Sequence, residues 1–183
     1  MSLLNRELGE GLYTVDYLLE DAANPAAAGL LAEQPPLLGA AVSRLLAATD
    51  AGYYDRFGPE ALRLFAHRVG SLEALAVEPA FRGRGVGSLL ARASLEWMVA
   101  EGCETAVTLA WESGRESASA PLFRRLGFRQ GPTVERFYLE ESLREGWACP
   151  VCGMGCRCSA TLYTLPLIGG DDLGAGHGIE SRA

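Results

Sequence analysis

One segment of the chain, residues 71–102, constrains the fold more than any other. It reads SLEALAVEP, AFRGRGVG and SLLARASLEWMVAEG in succession. The first piece alternates in character and ends at Pro79, which predicts a strand with Glu73 and Leu75 on the same face. The last piece carries apolar residues at helical spacing and stops at Gly102, which predicts an amphipathic helix. The segment is therefore predicted to form a strand, a glycine-rich turn and a helix.

The turn has the properties of an anion-binding site. Gly83, Gly85 and Gly87 occupy alternate positions, and glycine allows positive φ and lets main-chain N–H groups face a ligand. The turn leads into a helix N-terminus, where the helix dipole favours negative charge. Arg82 and Arg84 add positive charge. The sequence predicts that a phosphorylated ligand binds here.

Two common phosphate-binding motifs do not account for this turn. A P-loop needs Gly-Lys-Ser/Thr, and the chain contains no lysine. The dinucleotide fingerprint needs three glycines in the pattern GxGxxG, and the third position is Ser88 in one register and Leu90 in the other. Both motifs are excluded.

The turn and its flanks resemble those of the GNAT superfamily of acyl-CoA-dependent N-acetyltransferases. The family's most specific motif is Gln/Arg-x-x-Gly-x-Gly/Ala after a strand of the form LxVxPxxR, and LAVEPAFRGRGVG is similar to it. After a second predicted strand, TAVTLAW, the stretch APLFRRLGF resembles the family's second motif, commonly LYxxxGF. The order of elements is kept over residues 37–167. The positions that match the first motif are Leu75, Val77, Pro79, Arg82, Gly85 and Gly87.

This resemblance implies a mixed α/β fold in which helices flank a central mixed sheet. We expect one domain over residues 1–167 and a flexible, glycine-rich tail at 168–183. In the family, the turn binds the diphosphate of coenzyme A, and the strand before it splays from its neighbour to pair with the pantetheine arm. The resemblance thus implies acetyl-CoA as cosubstrate. It assigns the donor site to Leu75, Ala76, Val77, Arg82, Gly83, Arg84, Gly85, Val86, Gly87, Ser88 and Phe123.

The resemblance also implies an amine acceptor and a base that deprotonates it. A lysine-like amine with a pKa of ~10.4 is protonated at neutral pH, so presenting it as a nucleophile costs about 4–5 kcal/mol. The family often carries a carboxylate at the strand position of Glu73, which makes Glu73 the predicted catalytic base. His67 is a second candidate, although a histidine on an apolar strand more often packs than catalyses.

Two positions depart from the family's pattern. The tyrosine that often protonates the leaving thiolate would fall at position 123, where the chain has Phe123, and the usual asparagine near the start of that helix corresponds to Glu116. A thiol with a pKa of about 8.5 is a tolerable leaving group, so water or another donor could suffice. The alternative is a non-catalytic acyl-CoA-binding or metal- or redox-responsive module.

Four of the five cysteines fall within ten residues, in the stretch WACPVCGMGCRCSA. CPxCG resembles the zinc knuckles of small metal-binding proteins. The chemistry leaves open a structural zinc ion, free or redox-reactive thiols, or an iron–sulfur cluster. The flanking stretches ERFYLE and ATLYTLPL are predicted to be the last two strands, which places this insertion, residues 145–160, in their connection. The predicted metal ligands are Cys149, Cys152, Cys156 and Cys158.

Composition limits the partners. With 183 residues and 49% hydrophobic content, the chain can bury one sizeable core. The net charge of −7 and the scattered arginines argue against nucleic acid and favour cationic acceptors. We expect no membrane partner and a cytoplasmic location. The sequence leaves open whether the protein forms a homodimer.

The secondary structure of the first half of the chain is harder to predict. LYTVDYLLE is predicted to be a strand and NPAAAGLLAEQ a helix, whereas PLLGAAVSRLLAAT fits either a strand or a helix, and the family resemblance favours a strand. TDAGYYDRFGPEA is predicted to be a loop, followed by LRLFAHRV as a strand beside LEALAVE.

Overall fold

The computed structural model describes residues 2–33, 37–113 and 119–167. The predicted tail at 168–183 and Glu116 lie outside these residues. Short 3-10 turns occur at Ala48–Asp50, Asp55–Phe57, Leu64–Ala66 and Pro79–Phe81. The strands are β1 (Ala27–Glu33), β2 (Leu37–Leu46), β3 (Val69–Val77), β4 (Thr105–Glu112), β5 (Arg129–Val134) and β6 (Ser159–Pro166). The helices are α1 (Ser2–Leu8), α2 (Val15–Ala23), α3 (Ala51–Tyr54), α4 (Pro59–Arg63), α5 (Val86–Ala100), α6 (Ala120–Arg125) and α7 (Leu139–Glu145).

The strands form one mixed sheet in the order β1-β2-β3-β4-β6-β5. Neighbouring strands run antiparallel except β3 and β4, which are parallel and joined by α5. A parallel pair requires such a crossover connection, and a helix is the usual one. The predicted mixed α/β fold is confirmed, and the cysteine-rich segment lies between the last two strands along the chain.

The sheet has a helix layer on each face. On one face, α5 and α6 cover a core that includes Leu72, Leu95 and Phe123. Burial of each large apolar side chain of this kind contributes about 1.5–3 kcal/mol. On the other face, α1 and α2 pack on the β2–β3 end of the sheet, and residues 54–61 pack on its middle. Between these layers, an opening lies where two strands separate.

That opening is a fork between β3 and β4. Their pairing runs from Val69 with Thr105 to Leu72 with Thr108 and stops there. Beyond this point, β4 continues beside β6, and β3 continues beside β2. At the fork, the Thr108 hydroxyl donates a hydrogen bond of 2.9 Å to the carbonyl oxygen of Leu72. One edge of β3 from Glu73 onwards therefore lacks β4 as a partner.

A β-bulge lies at the same place. The β2–β3 register shifts so that Ser43 pairs with Leu72 and Val42 with Ala74, which leaves Glu73 as the extra residue. The strand alternation is reset, because Leu72 and Leu75 both pack into the α5 core. The expectation that Glu73 and Leu75 share a face is therefore wrong. Bulges of this kind re-aim one side chain and are frequent beside active sites.

Two expectations for the first half of the chain are also wrong. The stretch predicted as a first strand forms α2, whose N-cap Thr14 accepts a hydrogen bond of 3.1 Å from the backbone N–H of Tyr17. The stretch predicted as a helix forms β1, since the chain leaves α2 at Asn24 and pairs with β2. The strand favoured for residues 36–49 is confirmed as β2.

Two further strand predictions fail. Residues 62–68 form the end of α4, a 3-10 turn and a short link, so β3 pairs with β2 and β4 instead. Residues 135–138 form a turn that leads into α7, and the strand before the cysteines is β5. The segment predicted as a loop at 49–61 contains short helical turns whose Tyr54 and Phe57 are buried in the core.

Candidate active site

The glycine turn adopts the conformation that its sequence demands. Gly83 and Gly85 have φ values of 74° and 88°, in the left-handed region that side-chain-bearing residues rarely adopt. Gly85 is the N-cap of α5. The first hydrogen bond of that helix runs from the N–H of Leu89 to the carbonyl oxygen of Gly85, at 2.9 Å. The N–H groups of residues 86–88 therefore precede the first intrahelical hydrogen bond and are available to a ligand.

The two arginines of the turn differ in their contacts. The Arg82 Nε donates a hydrogen bond of 3.1 Å to the carbonyl oxygen of Val77, and its guanidinium forms an ion pair with Glu7 of α1. The Arg84 guanidinium lies 5.4 Å from the ring centroid of Phe81. Arg82 is thus held against the end of β3, and Arg84 stacks on Phe81.

A cleft of about 1080 Å³ connects the turn to the fork. We call the part formed by Leu75–Val77 and residues 82–88 the glycine end. Of the predicted donor residues, the cleft is lined by Leu75, Ala76, Val77, Arg82, Gly83, Gly85, Gly87, Ser88 and Phe123. Arg84 and Val86 do not line it.

Glu73 lies in the same cleft, at the fork. Its side chain is 24% exposed, and its carboxylate lies 3.2 Å from the guanidinium of Arg44 on β2. Tyr17 bridges the pair, since its hydroxyl accepts a hydrogen bond of 2.8 Å from Arg44 and donates one of 3.5 Å to Glu73. Burial raises the pKa of Glu73, and the charge of Arg44 opposes that rise. The carboxylate is therefore a stronger base than an exposed one.

His67 is placed elsewhere. It lies just before β3, its side chain is 55% exposed, and its Nδ1 lies 3.1 Å from the Glu104 carboxylate. It does not line the cleft. Of the two candidate bases, only Glu73 reaches the fork.

Phe123 is buried on α6, where its ring centroid lies 5.6 Å from that of Phe128 and 5.5 Å from that of Tyr163. It lines the cleft without offering a polar group. Phenols do occur in the cleft, at Tyr54 and Tyr138, and burial raises the pKa of both. Both hydroxyls are therefore protonated at neutral pH.

From Glu73 outwards, the cleft is lined by aromatic and charged side chains, and of these sequence reasoning had singled out Glu73 alone. We call this part the aromatic end. Tyr53 donates a hydrogen bond of 3.2 Å to Glu141 of α7, and burial together with the charge of Glu145 raises the pKa of Glu141. The clustered tyrosines of GYYDRF were the one available signal. The aromatic end comprises Tyr13, Tyr17, Arg44, Asp50, Tyr53, Tyr54, Glu73, Trp111, Tyr138, Glu141, Arg144, Glu145 and Trp147.

The structure brings the four clustered cysteines together. Their sulfur atoms all lie within 4.8 Å of one another. They pack against Leu12, Trp111, Tyr138 and Trp147, so the cluster lies directly behind the aromatic end. None of the four lines the cleft itself. Cys103, the fifth cysteine, is buried beside Gly70 and Met98 in the core.

The described helices contain no apolar stretch long enough to span a bilayer.

The structure is similar to those of several N-acetyltransferases. The Escherichia coli ribosomal-protein-S18-alanine N-acetyltransferase is 13% identical over 94% of this chain and 89% of its own, with a TM-score of 0.58. Arabidopsis thaliana NAA60 in complex with acetyl-CoA is 15% identical over 86% of this chain and 85% of its own, with a TM-score of 0.60. A NatC complex bound to Gag peptide and CoA is 17% identical over 90% and 86%, with a TM-score of 0.60.

The sequence profile of the Acetyltransferase (GNAT) family matches residues 7–128. The chain belongs to this family. None of the curated proteins matches it.

Proposed function

We propose that this protein transfers an acetyl group from acetyl-CoA to a primary amine by direct attack in a ternary complex. One observation carries the proposal: a single cleft joins the glycine turn, the unpaired edge of β3 and the carboxylate of Glu73. A donor and an acceptor that meet at the fork would both be bound at once.

The glycine end is proposed to hold the donor. The N–H groups of residues 86–88 and the positive end of α5 suit the diphosphate of CoA. The guanidinium of Arg82 is ion-paired with Glu7. It can bind the diphosphate as well if it contacts both groups at once. The free edge of Leu75–Val77 offers backbone groups to the amides of the pantetheine arm, which would place the thioester near the fork.

Glu73 is proposed to accept the proton of the acceptor ammonium, directly or through a water molecule. The neutral amine then attacks the thioester carbonyl carbon, a C–N bond forms, and the C–S bond breaks to release the CoA thiolate. A positioned base contributes roughly 10²–10⁴-fold to such a step. As the amide forms, the attacking nitrogen loses its second proton, and water carries that proton to the thiolate. Phe123 offers no donor, and burial makes the phenols Tyr54 and Tyr138 weaker acids.

The proposed acceptor carries positive charge. Four carboxylates, Asp50, Glu73, Glu141 and Glu145, line the aromatic end against two guanidinium groups, Arg44 and Arg144. Aromatic faces beside carboxylates favour ammonium groups by cation–π attraction. Both small amines and peptides with free amino termini meet this requirement.

The test is incubation with acetyl-CoA and a panel of diamines, monoamines and peptides with free amino termini, with acetylated products identified by mass spectrometry. We expect transfer to cationic amines and none to amino-acid amides that carry an extra carboxylate. Because the chain contains no lysine, self-acetylation of lysine cannot be mistaken for product. CoA binding without transfer to any amine would favour the alternative, a non-catalytic acyl-CoA-binding module.

A further inference from the structure

The sulfur atoms of the cysteine cluster have the spacing of a tetrahedral metal site. The Sγ of Cys149 lies 3.8 Å from that of Cys158, and the Sγ of Cys152 lies 3.7 Å from those of Cys156 and Cys158. Tetrahedral zinc with Zn–S distances near 2.3 Å requires sulfur atoms about 3.8 Å apart. A disulfide requires about 2.05 Å. The cluster therefore matches four thiolates around one ion.

The backbone of the loop supports that arrangement. The N–H of Val151 donates to the Sγ of Cys149 at 3.4 Å, and the N–H of Arg157 donates to the Sγ of Cys152 at 3.2 Å. Such bonds stabilise and orient thiolate ligands from outside the metal's own coordination shell. The turn closes on itself, since Cys149 and Gly153 exchange two backbone hydrogen bonds of 3.1 and 2.9 Å.

Apolar burial does not explain this loop. Between Cys149 and Cys158, the side chains of Val151 and Met154 are 59% and 57% exposed, whereas Cys156 is 0% exposed. A segment ordered by the hydrophobic effect would bury the valine and the methionine. The sulfur atoms are the groups that the loop encloses.

The compact spacing also argues against a polynuclear iron–sulfur cluster. An iron–sulfur cluster places several irons and bridging sulfides between its cysteines, which spreads the four ligands further apart than a single ion does. Four thiolates leave no open position for substrate or water, and closed sites of this kind are structural. One tetrahedral ion fits the cluster, and thiolate ligation of such an ion is typical of zinc.

The loop is tied to the walls of the aromatic end. The N–H of Cys156 donates a hydrogen bond of 2.8 Å to the hydroxyl of Ser142, which is buried on α7. Ala148 and Glu10 exchange backbone hydrogen bonds of 3.0 and 3.1 Å, which link the loop to the segment between α1 and α2. The same helix α7 carries Glu141, and Trp147 is the neighbour of Ala148.

We propose that Cys149, Cys152, Cys156 and Cys158 bind one structural zinc ion, and that this ion holds α7 and Trp147 in place as the wall of the aromatic end. The site lies behind the cleft and takes no part in acetyl transfer. Only the second half of the proposal rests on the proposed function, because it assigns that wall to the acceptor.

The first test is metal content. Protein purified under reducing conditions without chelator should contain close to one zinc per chain by elemental analysis, falling at least about fivefold in Cys156→Ser. Cys103→Ala is the matched control and should keep its zinc. Because Cys156→Ser could fail to fold, the reduced, metal-free parent is also titrated with Co²⁺, whose tetrahedral thiolate complex has a characteristic visible spectrum.

Iron in place of zinc, zinc retained in a folded Cys156→Ser, or no uptake of Co²⁺ would each overturn the site. Ready reaction of all five thiols with a thiol reagent in the native, metal-replete protein would do the same and would favour free, redox-reactive cysteines. None of these measurements depends on catalysis, so they stand whether or not the proposed activity is found.

The second test concerns the wall. Removal of the metal should speed hydrogen exchange of residues 139–158 at least about tenfold and shift the emission of Trp111 and Trp147 to longer wavelength. The affinity for CoA, measured by calorimetry, should change less than about threefold. Unchanged exchange over residues 139–158, or a loss of CoA affinity as large as the effect on that segment, would show that the metal does not act on this wall specifically.

Discussion

The two ends of the cleft are built in opposite ways. The glycine end comes from one stretch of chain, Leu75 to Ser88, and three of its lining residues are glycines, which have no side chain to present. The aromatic end is assembled from α2, β2, residues 50–54, α7 and Trp147, and it presents side chains. A backbone site requires particular φ values and little else, whereas a side-chain site requires that distant segments meet. The backbone site can be recognised from a short stretch of sequence, whereas the side-chain site depends on the whole fold.

The largest expected effect tests whether the glycine end acts through its backbone. Gly85→Val places a β-branched residue at φ 88° and should reduce CoA binding below detection by calorimetry, since left-handed backbone costs such residues about 1–3 kcal/mol and the N–H groups that follow would move.

Gly87→Ala separates ligand contact from folding at the same end. Its added Cβ would lie 3.5 Å from Val77 and 3.7 Å from Leu122, which are ordinary contacts, and alanine favours helix. We expect normal thermal unfolding with CoA binding weakened about tenfold, because the methyl group enters the cleft. Parent-like binding in Gly87→Ala would mean that the ligand does not approach this turn closely.

The second effect falls at the junction of the two ends. Glu73→Gln should lower turnover at least about tenfold near neutral pH and leave CoA affinity nearly intact, because the amide cannot accept the amine proton. Part of the loss should return as pH rises towards the pKa of the amine. A pH–rate profile identical to the parent's would remove Glu73 from the mechanism.

A smaller effect concerns Arg44, the ion-pair partner of the proposed base Glu73. Arg44 favours the ionised form of Glu73, so Arg44→Gln should raise the pKa of Glu73 further and move the ascending limb of the pH–rate profile to higher pH. Tyr17→Phe removes a hydroxyl from the same pair without changing its charge, and it should shift the limb less. A shift to lower pH in Arg44→Gln would contradict the pairing seen at 3.2 Å.

The smallest effect lies within the aromatic end. The folded state raises the pKa of Glu141 above its usual 4.5, so it binds that proton more tightly than the unfolded chain does. The parent should therefore lose stability as pH rises from 4.5 through the raised pKa. Glu141→Gln keeps an acceptor for Tyr53 and should not show this loss, so thermal scans at pH 4 and pH 7 should differ less in the variant. An equal pH dependence of stability in both proteins would show that Glu141 is not its cause.

These contrasts also explain what could be predicted from sequence. The strand, turn and helix at 71–102 were predictable because Pro79 and three glycines mark their boundaries. Short Ala/Leu runs have no such markers, so α2 and β1 were interchanged. The N-cap Thr14 was the signal for α2 that periodicity alone did not use.

The candidate site was predictable to a similar extent. Glu73 was predicted as the base and lines the cleft, but its orientation was not predicted, because a single bulge resets the alternation of β3. Arg44, Tyr53 and Glu141 could not be placed in the cleft, since three separate segments carry them there. The cysteines were recognisable from their spacing, whereas their position behind the aromatic end required α7 and Trp147 to be located first.

The fork has a thermodynamic consequence for the molecule as a whole. Because β3 and β4 pair only from Val69/Thr105 to Leu72/Thr108, two parts of the sheet meet along a short seam. A bound donor whose amides occupy the free edge of β3 would act as a missing strand, and the sheet would be complete only in the complex. A ligand that binds only the folded state stabilises it by about 2.7 kcal/mol at a hundred times its dissociation constant. Thermal stability in the cell would then follow the supply of the donor, and so would the protein's resistance to proteolysis.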